Sequence, residues 1–230
     1  DLLLFKYTTA GTTAHVGVAW NNAEEVLYES AYNTSYKSLA YAWLSKKLGE
    51  TTATAIYINE SFQKGTTPQL VKEHIFRNTI GTNIGYGNNK QPFSLYATAY
   101  YQFGRDTKDR KLNAYLLAAK AQYKLTRSTS LTAGADIYSG TKADASETKN
   151  NTFNKLYGTN HAFNGSIEYW RNLPSQGLSD IYAGITNKFN DKLDADITFH
   201  RFATLHSIGQ SGLNNLGSEI DITVNYKISK

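Results

Sequence analysis

At 230 residues and 40% hydrophobic content, the chain has no apolar run near the ~20 residues of a membrane-crossing helix, which excludes a helical membrane protein. Seventeen Tyr, ten Phe and three Trp stand against three Pro, no Cys and no Met, a composition that fits an exported chain in mature or trimmed form. The net charge of +5 and pI near 9.1 suit an anionic partner, but the basic residues are scattered and often matched by acids, so no nucleic-acid partner is expected.

Taken in chain order, nearly every segment reads as strand. "LLLFKYTT" (2–9) and "AHVGVAWN" (14–21) come first, then "YKSLAYAWLSKKL" (36–48), "TATAIYINE" (52–60) and "HIFRNTIGTNIGY" (74–86). "FSLYATAYYQFG" (93–104), "LNAYLLAAKAQYKLT" (112–126) and "SLTAGADIYSG" (130–140) follow. The last are "FNGSIEYWR" (163–171), "LSDIYAGITNKF" (178–189), "KLDADITFHRFATL" (192–205) and "GSEIDITVNYKISK" (217–230). In the closing strand Ile220, Ile222, Val224, Tyr226 and Ile228 alternate with Glu219, Asp221, Thr223, Asn225 and Lys227, the period of a strand with two unlike faces. Many segments approach the ~10 residues that a tilted strand needs to cross a bilayer.

One face repeats from strand to strand. Phe93, Leu95, Ala97, Ala99, Tyr101 and Phe103 are matched by Leu131, Ala133, Ala135 and Ile137, and by Leu193, Ala195, Ile197 and Phe199. Small aliphatic residues lie mid-strand and aromatic ones towards the ends, as an apolar band between aromatic girdles requires. The links at 10–12, 49–51, 88–92 and 127–129 are short. Those at 22–35, 61–73 and 141–151 are long and polar, so periplasmic turns and outer loops are expected to alternate. Adding "TFNKLYG" (152–158) as one more short strand, turning at 159–162, keeps every long loop on one side. The expected fold is therefore all-β: a transmembrane antiparallel up-and-down β-barrel, with about 12–13 strands in a single domain over 1–230. An odd count is unusual, so strands before Asp1, or a partner chain, are expected to complete the wall.

The stretches 36–49, 94–106, 112–125 and 131–141, and above all "FNKLYGTNHAFNGSIEYW" (153–170), "GLSDIYAG" (177–184) and the closing strand, carry a resemblance. They resemble the C-terminal part of the alginate-export-like outer-membrane barrels, Bacteroidetes type. Glu168 and Trp170 stand where that family pattern has Asp and Phe. The resemblance implies a monomeric barrel of about eighteen strands. It also implies a conducted anionic polysaccharide or related solute, and an outer-membrane location.

The polar faces supply the candidate site. Arg77, Lys120 and Lys124 fall on neighbouring strands, and Asp136, Glu168, Asp180 and Asp194 on later ones, with Lys188 and His200 beside them. These are the expected pore-lining residues, because charge patches at a constriction select solutes by sign. Asp194, Asp196 and His200 share one strand face, but positions two apart lie ~7 Å from one another, so no metal site is expected. No Ser–His–Asp order, phosphate loop or zinc-spaced cluster accompanies the carboxylates, so neither an enzyme nor a cofactor is expected. The function read from the sequence is passive passage of hydrophilic, anionic solutes or an alginate-like polysaccharide, with membrane lipid as the outer partner. The alternatives are a plugged barrel serving as a scaffold and a soluble saccharide-binding β-protein.

Overall fold

The structure is a computed structural model and describes residues 2–21, 36–64, 73–87, 91–158, 164–167, 169–208 and 212–228. It begins with the strands β1 (Leu2–Thr9), β2 (Thr12–Trp20), β3 (Ser38–Leu48), β4 (Thr51–Lys64), β5 (Glu73–Tyr86) and β6 (Phe93–Arg105). Then come β7 (Lys111–Lys124), β8 (Thr129–Tyr138), the two-residue β9 (Lys149–Asn150), β10 (Leu178–Lys188), β11 (Leu193–Ile208) and β12 (Leu213–Tyr226). The described residues contain no helix. The strands form one 12-stranded sheet in the order β1-β2-β3-β4-β5-β6-β7-β8-β10-β11-β12, so each long strand pairs with its neighbour in sequence. β9 lies off this path, parallel to β7 through Lys111↔Lys149 and Leu112↔Asn150. β1 and β12 end the order, and the sheet is not closed among the described residues.

Turn chemistry explains the tight hairpins. Thr9↔Thr12 and Leu48↔Thr51 close ladders across two residues each, and Gly11 (φ 73°) and Gly49 (φ 59°) occupy the left-handed positions that such turns need. Between strands the register keeps the polar face in line. Asp180 sits opposite Asp136 on β8 and Phe202 on β11, and His200 sits opposite Tyr182 on β10 and Glu219 on β12. A one-residue slip would move each of these side chains to the other face.

Two compact units make up the chain: Asp1–Asn83 with Ala99–Tyr115 and Ala145–Asn151, and Ile84–Thr98 with Leu116–Asp144 and Thr152–Lys230. In the second unit the apolar face is bare. Ile220, Ile222 and Val224 are 64%, 67% and 62% exposed, and Leu131, Ile181, Ile185, Ile197 and Phe199 are also exposed. Burying one such side chain is worth about 1.5–3 kcal/mol, so a face of them demands an apolar solvent.

The structure alters the expected element list in two places. Residues 152–158 form no strand: Phe153 N–H donates to the Ser139 carbonyl, and Leu156 takes φ 54° with its N–H donating to Asn154 Oδ1. The described part of 163–171 is not a strand either, because Asn164 (φ 67°) and Gly165 (φ 82°) turn the chain. The amides of Ser166 and Ile167 then go to carboxylates instead of a ladder. These two segments drop out as a pair, so strand direction from β10 onward is unchanged. The expected loop at 61–73 is shorter, since β4 runs to Lys64 and β5 starts at Glu73. The loop at 22–35 and the turn at 159–162 lie outside the described residues.

Candidate functional site

In the first unit the polar side chains seal a buried cluster. Arg77 on β5 donates from Nε to Glu60 Oε2 at 2.6 Å and from Nη2 to Glu60 Oε1 at 2.7 Å. Its guanidinium lies 5.0 Å from the Phe62 ring centroid. Glu60 on β4 was not foreseen as its partner, although it lies on the same strand face as Phe62. Farther along, Asp106 organises the turn between β6 and β7. Its carboxylate accepts from the N–H groups of Lys108 and Arg110, from Arg110 Nε and from Asn150 Nδ2, all within 3.0 Å. Burial alone would raise the Asp106 pKa; the bonds from Arg110 and Asn150 outweigh it and hold the group below the ordinary carboxylate value.

The second unit contains a polar cavity of about 630 Å³. Tyr96, Lys120, Asp136, Asn164, Tyr182 and His200 are among its lining. Gly134 lies opposite Tyr182, and a Cβ there would collide with the tyrosine ring, so the glycine is what admits the ring. Tyr182 in turn lies 5.2 Å from the His200 ring, and His200 stacks on Phe202 at 5.7 Å and 11°. His200 Nδ1 is 2.9 and 3.0 Å from the two Asp180 oxygens, and its Nε2 is 3.5 Å from Asp221 Oδ2. Asp196 accepts from Thr186 Oγ1 at 2.7 Å and Thr198 Oγ1 at 3.0 Å. Lys120 Nζ stands 5.8 Å from the Tyr96 ring centroid.

A corner of the connection between β8 and β10 rests on this face. Ser166 N–H donates to Asp221 Oδ2 at 3.0 Å and Ile167 N–H to Glu219 Oε1 at 2.9 Å, while a Cβ on Gly165 would fall 2.6 Å from both Glu219 oxygens. Trp170 from the same connection meets Phe202 at 6.0 Å.

Among the nine residues expected to line a pore, Lys120, Asp136 and His200 share the cavity, and Asp180 is fully buried behind His200. Lys188 and Asp194 sit across from one another at the short-turn ends of β10 and β11. There Lys188 pairs with Asp191 at 2.8 Å, and Asp194 accepts from Asn225 at 2.9 Å. Lys124 ends β7. Arg77 belongs to the first unit and is neutralised by Glu60, and Glu168 lies outside the described residues. Asp194, Asp196 and His200 are each engaged by different groups.

No protein-family model matches the chain, and no curated protein sequence matches it significantly. Solved structures do. In-vitro folded OmpT, an outer-membrane protein of Vibrio cholerae, is similar with a TM-score of 0.51 and 13% identity, covering 98% of this chain and 63% of that one. Outer-membrane expressed OmpT of Vibrio cholerae gives 0.51 and 14%, covering 98% and 64%. The fold is that of an outer-membrane β-barrel. This chain spans less than two thirds of the length of either protein, and both are outer-membrane proteins, in agreement with the location expected from the strand faces. The similarity supports a barrel and not the alginate-export family in particular. One expectation is corrected here: that the chain is no enzyme. It rested on the lack of a Ser–His–Asp order, a phosphate loop or a zinc-spaced cluster beside the carboxylates, and the similarity to OmpT does not support that exclusion.

Proposed function

We propose that the chain forms part of the wall of an outer-membrane pore that passes hydrophilic solutes. The observation that carries this reading is the pairing of an exposed apolar face with a polar face hollowed by a cavity of about 630 Å³. Lipid suits the first and water the second. An alginate-like anionic solute follows from the sequence resemblance alone. On the second unit's polar face the carboxylates Asp136, Asp180, Asp194, Asp196, Glu219 and Asp221 outnumber Lys120, Lys124, Lys188 and His200, so the wall there favours neutral or cationic solutes over polyanions. A plugged or gated state is the second reading, favoured by the Asn164–Ile167 corner resting on Glu219 and Asp221.

The test is single-channel recording of the detergent-purified, full-length protein in a planar bilayer under a salt gradient. Stable steps with a reversal potential displaced towards the cation are expected. Stable insertion without any conductance would replace the open pore by the plugged barrel.

A further inference from the structure

At the short-turn edge the strands of the second unit run out in a repeated way. β7 does so at Tyr123–Lys124, β10 at Lys188–Phe189 and β12 at Tyr226–Lys227, an aromatic residue beside a lysine each time. Tyr123, Phe189 and Tyr226 are all exposed. Two backbone bonds draw these ends together: Lys188 N–H donates to the Ser128 carbonyl and Lys227 N–H to the Lys192 carbonyl, each at 2.8 Å. Arg127 and Lys192 stand exposed in the turns between the strands. Among the described residues of this edge, the cations Lys124, Arg127, Lys188, Lys192 and Lys227 meet only two carboxylates, Asp191, paired with Lys188 at 2.8 Å, and Asp194. The opposite strand ends lack the pattern: Tyr138 is buried and followed by Ser139, and Leu178 is buried and preceded by Gly177.

We propose that this rim binds the phosphate headgroups of anionic phospholipid in the adjoining leaflet. The inference rests on the membrane-spanning wall of the pore reading; lipid selectivity is measured without conductance, so the two fail separately. Exposed rings at the end of an apolar face settle at the level of the lipid headgroups, which fixes the depth of the rim. A lysine beside such a ring keeps its methylene stem on apolar surface and carries its ammonium out to the phosphates. Lys124, Lys188 and Lys227 start from the last rungs of the polar face, so their stems need only round the strand ends. Short turns of such barrels face the periplasm, where the leaflet is phospholipid. Attraction of a cation to an anionic surface fades within about 8 Å at physiological salt, so charges on the rim feel it and the acidic wall farther in does not.

The experiment places the folded, full-length protein in phosphatidylcholine bilayers with a trace of spin-labelled phosphatidylglycerol or spin-labelled phosphatidylcholine. Electron spin resonance then gives the relative affinity of the protein for the two lipids. A preference of about threefold for phosphatidylglycerol is expected at about 10 mM salt, falling near parity at about 1 M. Arg127→Gln/Lys192→Gln/Lys227→Gln should remove most of that preference, whereas Lys142→Gln, in the connection at the opposite edge, should leave it intact. Heat-modifiable migration on gels reports folding, and the salt series on the wild type decides the matter should the triple variant fail to fold. Equal affinity for the two lipids, a preference that ignores salt, or one unchanged in the folded triple variant overturns the proposal. So does binding to isolated peptidoglycan that the triple variant loses, without any lipid preference in the wild type, which would assign the rim to the cell wall.

Discussion

Arg77 shows how a single charge is tamed inside a polar wall. With Glu60 fully buried and two bonds of 2.6 and 2.7 Å between them, Arg77 without Glu60 would be an uncompensated buried charge. Glu60→Gln should therefore cost about 3–5 kcal/mol, measured as the loss of unfolding free energy in urea from lipid vesicles. Asp106 gives a pH signature. Its pKa is depressed in the folded protein, so its contribution is fully present above the unfolded value, about 4, and is lost as pH falls through the lower folded value. Melting temperatures of wild type and Asp106→Asn should thus differ at neutral pH and converge in strong acid. Of these side chains, Lys120, Asp136 and His200 were legible as polar-face residues from period two alone. Tyr182 was not, because a tyrosine at a strand position reads equally as girdle or wall; the signal was Gly134, whose place beside it only the register reveals.

Among the elements, β11 displays the alternation most usefully, with Ile197 on the bare face and Thr198 on the cavity face. Ile197→Arg should destabilise the barrel by about 2–4 kcal/mol if that residue lies near the bilayer midplane, and Thr198→Arg far less, as read by unfolding from vesicles. Long strands with this period were legible almost to their ends: β7, β10 and β12 all lie within a few residues of their expected bounds. The failure at 163–171 has a physical cause. Phe163, Gly165, Ile167 and Tyr169 do alternate with polar residues, yet the left-handed Asn164–Gly165 pair breaks the extended backbone. Ile167 and Tyr169 then stay 70% and 74% exposed. Period two is necessary for a strand, and a partner ladder must also be within reach.

For the molecule as a whole, the proposed pore makes the corner at Asn164–Ile167, held on Glu219 and Asp221, the part that would set how freely a solute crosses the second unit's polar face. The Glu219→Gln/Asp221→Asn variant keeps acceptor oxygens but removes both charges, weakening the bonds to the Ser166 and Ile167 amides. Its single channels should show larger open-state fluctuations than wild type at the same voltage; identical noise would mean that the corner does not move. The up-and-down order has a broader result as well. Connections at 10–11, 49–50, 125–128 and 189–192 fall on one edge of the sheet, and those at 106–110 and 139–177 on the other. A peptide epitope spliced after Lys108 should be decorated by antibody on intact cells, while the same epitope between Gly49 and Glu50 should appear only after permeabilisation. Insertions and substitutions would then be tolerated chiefly along a single rim, leaving the opposite hairpins to keep the wall in register.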